Sequence, residues 1–349
     1  MTEIPAHYDP SHARQWGYRP DAQSLFDAAT LFRRESHLLP AASDPRRHHL
    51  VLIDVQRDFC FPEGTLYVGG RSGEGALSDN DRIARFIYQN LGLISEITCT
   101  LDSHLPFQIF FAPFWIDRAG APLSPHRTIS VDDVRSGEVS PNPDIVDAVG
   151  APDLSWLTKQ VLFYCEQLAK AGKYVLYLWP PHVLLGGDGH ALAGVIQEAR
   201  LFHAYARGAK NGVEIKGMHA LSENYSVFSP EVLLTHDGAS LAARNGALLD
   251  SLLAEDRLIV AGQASSHCVK SSIDDLLEAI LARDRRLARR VYILEDAMSA
   301  VAVPDPKAPG TFLADFTDAA QDALGRFHDA GMHIVKTTAP PSEWPGFLD

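Results

Sequence analysis

The residues best able to do chemistry in this 349-residue chain are one cysteine, one lysine and a few carboxylates and histidines, each set where an element is predicted to begin or end. Cys268 follows the apolar run Arg257 to Ala261 and the small-residue turn Gln263-Ala-Ser-Ser-His267, and it opens a predicted helix. A thiol at a helix N-terminus meets unpaired N–H groups, which favour thiolate and offer an oxyanion hole for a tetrahedral intermediate. The alternative is a cysteine that is simply a small buried apolar residue. Asp54 ends an apolar run, where it could serve as the base for that thiol or as a solvated strand-end carboxylate. Lys216 ends another run; beside a thiol and a carboxylate an ammonium would hold the charge of both, and elsewhere it would be surface decoration. Asp102-x-His104 carries ligand types suited to Zn²⁺, Mn²⁺ or Fe²⁺, and an extended backbone puts both side chains on one face. His182 is the candidate third ligand, ranked above the rival pair Asp188-Gly-His190. Gly69-Gly70…Gly73-x-Gly75 lacks the strand–turn–helix frame of a phosphate loop and reads as a turn.

These groups need elements to position them. Strands are expected at Leu50 to Val55, Ile94 to Leu101, Tyr174 to Leu178, Val213 to Lys216, Arg257 to Ala261, Arg290 to Leu294 and His333 to Val335. Helices are expected at Asp21 to Arg34, Asp81 to Leu93, Leu154 to Ala171 with Gly172 as its stop, Ala191 to Ala206, Ala242 to Ala254, Cys268 to Ala282 and Phe316 to Ala330. Strand alternating with helix predicts an α/β fold of three layers, a mainly parallel sheet flanked by helices. Ligands bind such sheets at the C-terminal ends of the strands, where Asp54, Asp102/His104, Trp179/His182, Lys216 and Cys268 are all expected. Residues 1–48 read as an N-terminal extension, 49–337 as the main domain with an insertion at about 105–172, and 338–349 as a tail. The insertion is rich in Pro, Asp and Ser. Its FFAPFWID stretch could cap a pocket, build an oligomer contact or pack on the core.

Composition narrows the classes. The chain is 46% hydrophobic and 21% charged, ordinary for a globular protein, with a net charge of −13. Such an acidic surface repels phosphate backbones, which argues against nucleic acid as a partner. No apolar run reaches the ~20 residues of a membrane span, and the first 20 residues contain no apolar signal core. A cytoplasmic location is the expectation. Four scattered cysteines without a CxxC pair argue against a disulfide framework or a structural zinc knuckle.

Taken in order, LIDVQRDFC at 52–60, LDSH at 101–104, WPPHV at 179–183, IKG at 215–217, YSVF at 225–228 and GQASSHCV at 262–269 resemble the nicotinamidase branch of the isochorismatase-like cysteine hydrolases. DVQ-x-DF and WPPH are quite specific, whereas GxAxxxCV is shared across the wider family. The resemblance implies an Asp54–Lys216–Cys268 triad and an oxyanion hole from the N–H groups of Ala264 and Cys268, with a cis peptide at Gln263–Ala264. It implies one divalent ion (Zn, Mn or Fe) on Asp102, His104 and His182, aromatic substrate contacts from Phe59, Trp179 and Tyr225, and allows a homo-oligomer. The implied reaction is cleavage of a small carboxamide, nicotinamide first, through a thioester. The alternatives are another small amide or carbamoyl compound, or a retired active site that only binds a small molecule. The chain departs from the family in its extension and insertion, and in DSHLPFQIFF where members usually read DWHP with a further His nearby.

Overall fold

The computed structural model describes residues 2–172 and 174–349. In chain order the strands are β1 His48–Ile53, β2 Glu96–Asp102, β3 Trp115–Asp117, β4 Arg127–Ile129, β5 Val139–Pro141, β6 Leu176–Leu178, β7 Asn211–Lys216, β8 Arg257–Gly262, β9 Val291–Leu294, β10 Ala302–Pro304, β11 Phe312–Asp315 and β12 His333–Val335. The helices are α1 Ala22–Glu35, α2 Arg57–Cys60, α3 Gly75–Gln89, α4 Val131–Arg135, α5 Leu154–Ala171, α6 Gly194–Arg207, α7 Gly246–Leu253, α8 Cys268–Arg283 and α9 Thr317–Asp329.

Six strands form one sheet in the order β12-β9-β8-β1-β2-β7, and every pairing in it is parallel. The chain runs outward from β1 through β2 to β7, then returns to place β8 on the other side of β1. That reversal is the topological switch point, where the loops leaving adjacent strands diverge and a crevice opens.

Alternating side chains on each strand divide the core in two. Leu50 and Leu52 of β1, Ile259 and Ala261 of β8 and Tyr292 and Leu294 of β9 face a layer containing α1, α3 and α6. Val51, Ile53, Leu258, Val260, Val291 and Ile293 face α7, α8 and α9. The N-terminal residues Ala13, Leu25 and Ala29 and the C-terminal Trp344 and Phe347 are buried in the first of these clusters. No helix among the described residues is long and apolar enough to cross a membrane.

The hairpin β10–β11 was not expected from the sequence, α6 and α7 begin at Gly194 and Gly246 rather than Ala191 and Ala242, and three further differences bear on the site. Helix α3 begins at Gly75 rather than Asp81. Its first turns contain the polar run Ser78-Asp-Asn80, which hides the helical period, yet Asp79 and Asn80 are buried and hydrogen-bonded to Gln263, Ser299 and the Ala13 carbonyl. Strand β6 does not join the parallel sheet; it pairs antiparallel with β4. The segment 105–172 is more ordered than its composition suggests, with β3 and β5 paired and α4 closed by a Ser130–Asp133 capping box. In that segment Ile109, Phe110, Phe111, Phe114 and Trp115 are all fully buried, in one cluster with Phe59, Trp179, Ala264 and Val301, so FFAPFWID packs on the core.

Candidate active site

The C-terminal edge of the sheet at the switch point gathers the reactive residues. Asp54 follows β1, Asp102 ends β2, Lys216 ends β7, and Cys268 opens α8 after the β8 turn. Asp54 sits at φ +45°, which turns its carboxylate across the strand ends. There it accepts from the Thr100 hydroxyl, while its own N–H donates to Thr100 Oγ1 at 3.0 Å.

Lys216 is the hub. Its Nζ lies 3.0 Å from Asp54 Oδ2, 2.9 Å from Asp102 Oδ1, 2.9 Å from the Asn224 carbonyl and 3.7 Å from Cys268 Sγ. All four side chains are at most 6% exposed. An ammonium held between two carboxylates stays protonated: burial works against its charge, but Asp102, Asp54 and Cys268 together hold it well above its ordinary range. Burial raises the Cys268 thiol; Lys216 opposes this, and Asp54 and Asp102 add to it. Burial and the two carboxylates thus work against the thiolate, opposite to the helix terminus. Burial likewise lifts the Asp54 carboxyl above the usual carboxylate range, against the pull of Lys216.

The β8–α8 turn shapes the reacting end. The Gln263–Ala264 peptide is cis. The amides of Gln263, Ser265, His267 and Val269 donate to backbone carbonyls, whereas those of Ala264, Ser266 and Cys268 have no backbone acceptor among the described residues. Of these three residues Ala264 and Cys268 line the cavity, where N–H groups beside a thiol have the chemistry of an oxyanion hole.

Asp102, His104 and His182 form a cluster whose donor atoms lie within 4.8 Å of one another. His104 Nδ1 is 3.1 Å from the Gly217 carbonyl and His182 Nδ1 is 2.7 Å from the Pro180 carbonyl. Carbonyls only accept, so both Nδ1 atoms carry hydrogen and the Nε2 lone pairs are left for a ligand. His104 Nε2 stands 2.9 Å from Asp102 Oδ2, two acceptors that need a cation or an added proton between them. One carboxylate and two imidazoles with fixed tautomers fit a Zn²⁺, Mn²⁺ or Fe²⁺ ion. Gly217, at φ +84°, is required here: a Cβ would stand 2.5 Å from Asp102 Oδ1 and 2.7 Å from His104 Cε1. Phe110 and Phe111 back the imidazoles, with Phe110 4.9 Å from His104 and Phe111 5.2 Å from His182. Asp58 of α2 accepts from the Val183 N–H at 2.6 Å and so anchors the backbone beside His182.

A small cavity of about 30 Å³ joins the two halves, and Phe59, Trp179, Tyr225, Asp102, His182, Ala264 and Cys268 all line it. Trp179 Nε1 donates to Tyr225 Oη at 2.9 Å. The Asp188-Gly-His190 pair stays apart from the cluster: His190 Nε2 bonds Ser103 Oγ at 2.6 Å and Asp188 pairs with Arg19. The Gly69–Gly75 segment is a turn closed by the Gly75 N–H on the Gly69 carbonyl at 2.8 Å.

Two titratable lining residues are not among the candidates drawn from the sequence. Glu223 is buried, and burial lifts its carboxyl to about 8 despite the nearby His104. A lone acid in the loop His219–Tyr225 carries no sequence signal. His267 precedes Cys268 and packs against Trp179, Tyr225 and Phe316 at 4.7–5.3 Å. Its adjacency to Cys268 was the available clue.

No protein-family profile matches the chain, and no curated sequence does. Solved structures do. The yeast nicotinamidase Pnc1p bound to the inhibitor nicotinaldehyde superposes with a TM-score of 0.51 at 15% identity, covering 83% of this chain and 99% of its own. A second structure of yeast Pnc1p gives 0.50 at 17% identity, covering 82% and 99%. A nicotinamidase/pyrazinamidase from Acinetobacter baumanii gives 0.49 at 20% identity, covering 85% and 99%. The chain thus shares the fold of the two yeast structures.

Proposed function

We propose that the protein is a cysteine-dependent amidohydrolase that cleaves a small aromatic carboxamide, nicotinamide first, to the acid and ammonia. The observation that carries this reading is the buried convergence of Asp54, Lys216 and Cys268 at the switch point. Cys268 Sγ attacks the carboxamide carbon as its proton passes to Asp54. The Ala264 and Cys268 N–H groups hold the oxyanion, and Lys216 keeps its fixed charge beside both partners so that proton transfer costs little reorganisation. Asp54 returns the proton to the departing ammonia. It then draws a proton from water as that water opens the thioester, restoring the thiol.

Phe59, Trp179 and Tyr225 supply flat apolar surface suited to an aromatic ring. Bound at Asp102, His104 and His182, a divalent ion would supply Lewis acidity at the ring end of the pocket. The opposing reading, a retired site that only binds, is disfavoured because each of the three triad positions holds a competent side chain.

The test is ammonia release from nicotinamide by purified protein, repeated after chelation and with Cys268→Ala. The reading requires turnover by the native chain and a loss of several orders of magnitude in the variant at unchanged thermal stability. Equal ammonia release by Cys268→Ala ends it.

A further inference from the structure

The opposite, N-terminal edge of the sheet carries a second set of metal-type donors. His49 of β1 pairs in register with Glu96 of β2, and Glu255 lies two residues ahead of β8. Donor atoms of His49, Glu96 and Glu255 lie within 4.8 Å of one another. His49 is 3% exposed. Its Nε2 lies 2.8 Å from Thr98 Oγ1, while its buried Nδ1 has no hydrogen-bond partner among the described residues and faces Glu255 Oε1 at 3.6 Å. In the tautomer whose Nε2–H donates to Thr98, the Nδ1 lone pair points at a carboxylate oxygen, an arrangement that calls for a cation. Two donors each ~2.1 Å from one tetrahedral ion stand roughly 3.4 Å apart, close to that gap.

Arg47 does not fill this position. It reaches the two acids at Oε2, Nη2 to Glu96 at 3.0 Å and Nε to Glu255 at 3.6 Å, whereas the Glu255 oxygen facing His49 is Oε1. Arg47 thus holds the carboxylates in place as an outer partner to the donor set. The acid side chains are 14% and 12% exposed, which leaves a path for an ion to enter.

We propose that His49, Glu96 and Glu255 bind a second divalent cation of the zinc class, pinning the starts of β1 and β2 to the turn before β8. One imidazole and two carboxylates favour Zn²⁺ over Mg²⁺ or Ca²⁺, which prefer all-oxygen shells. The site lies five residues along a strand from Asp54, about 16 Å at 3.3 Å per residue, so its role is structural and independent of amide hydrolysis.

The experiment is equilibrium dialysis of chelator-stripped, full-length protein against Zn²⁺, with bound metal counted by mass spectrometry and thermal melts run in parallel. Native protein is expected to hold two equivalents. Glu255→Gln, or Glu96→Gln in its place, is expected to hold one and release ammonia at the native rate. His104→Ala is expected to hold one, and Zn²⁺ to raise its melting temperature, an effect absent from His104→Ala/Glu255→Gln. If the cluster at His104 binds no ion, the native chain holds one equivalent that Glu255→Gln alone removes, which supports the base site while separating it from the catalytic reading. The proposal is overturned if His104→Ala binds no metal, or if Glu255→Gln and Glu96→Gln each bind as much as the native chain. Either outcome would leave His49 as a side chain packed beside Glu255 and nothing more.

Discussion

Replacing Asp54 by asparagine should uncouple catalysis from stability. Asparagine has nearly the same shape, so the fold has no steric reason to respond, but its single oxygen can accept from Thr100 or from Lys216 and not from both, which loses one polar contact. Each Lys216–carboxylate contact, at 3.0 and 2.9 Å, has a gross attraction of roughly 5–6 kcal/mol at an effective dielectric of about 20. The desolvation of a fully buried carboxylate offsets most of that, which is why burial lifts the Asp54 carboxyl despite Lys216. After substitution Lys216 still holds Asp102 and the Asn224 carbonyl, so no buried charge is orphaned. The expected change in unfolding free energy is within about 2 kcal/mol, far below the ~3–5 kcal/mol of a broken isolated buried pair. Catalysis loses the group that takes the thiol proton and returns it to ammonia, expected to cost about 10³-fold or more in kcat/KM, or ~4 kcal/mol. Coupled ammonia assays and urea denaturation on the same preparations measure both. The reasoning is refuted if the variant keeps more than a tenth of native kcat/KM. It fails equally if stability drops by more than ~4 kcal/mol, since Asp54 would then be a structural counterion.

Three further outcomes follow from single residues. Gly217→Ala should cost about 2–3 kcal/mol, from its φ of +84° and the contact with Asp102, and weaken divalent-ion binding at least tenfold; Gly238→Ala, at φ +86° with open space around it, should show the backbone cost alone. The carboxyl of Asp79 is pushed up to about 6, chiefly by burial, so its contribution to stability is complete below its unfolded value near 4 and is lost as pH rises through 6. That loss is roughly 3 kcal/mol, and Asp79→Asn should flatten the stability profile between pH 4 and 7 in denaturation titrations. Tyr225→Phe removes the acceptor of the Trp179 N–H, leaving a buried donor unpaired at about 1–3 kcal/mol, and should raise KM for nicotinamide with little change in kcat.

The local code of the chain was readable where a residue's neighbours in sequence decide its state. The buried run at β1, the Gly172 stop of α5 and the helix opening at Cys268 are of that kind, because apolar period and backbone propensity act over a few residues. The run Ser78-Asp-Asn80 hid the start of α3 because the side chains of Asp79 and Asn80 are bonded to Gln263, Ser299 and Ala13, far away along the chain. Trp179 and His182 were expected at the end of a strand in the parallel sheet. They sit instead beyond a small antiparallel pair, since β6 found its partner in β4 within the segment 105–172.

The sequence by itself determined the alternation of strand and helix, and hence a parallel sheet whose C-terminal edge would carry the reactive residues. It also determined which residue types were on offer: one thiol, one ammonium, a D-x-H pair. Only the tertiary structure decided that Lys216 bridges Asp54 and Asp102 at once, joining two groups that the sequence presented separately, and that Glu223 and His267 line the same cavity. The physical reason is that strand order and register are set by the packing of whole layers. Distances between residues 54, 216 and 268 exist only after β8 has returned to the side of β1 away from β2.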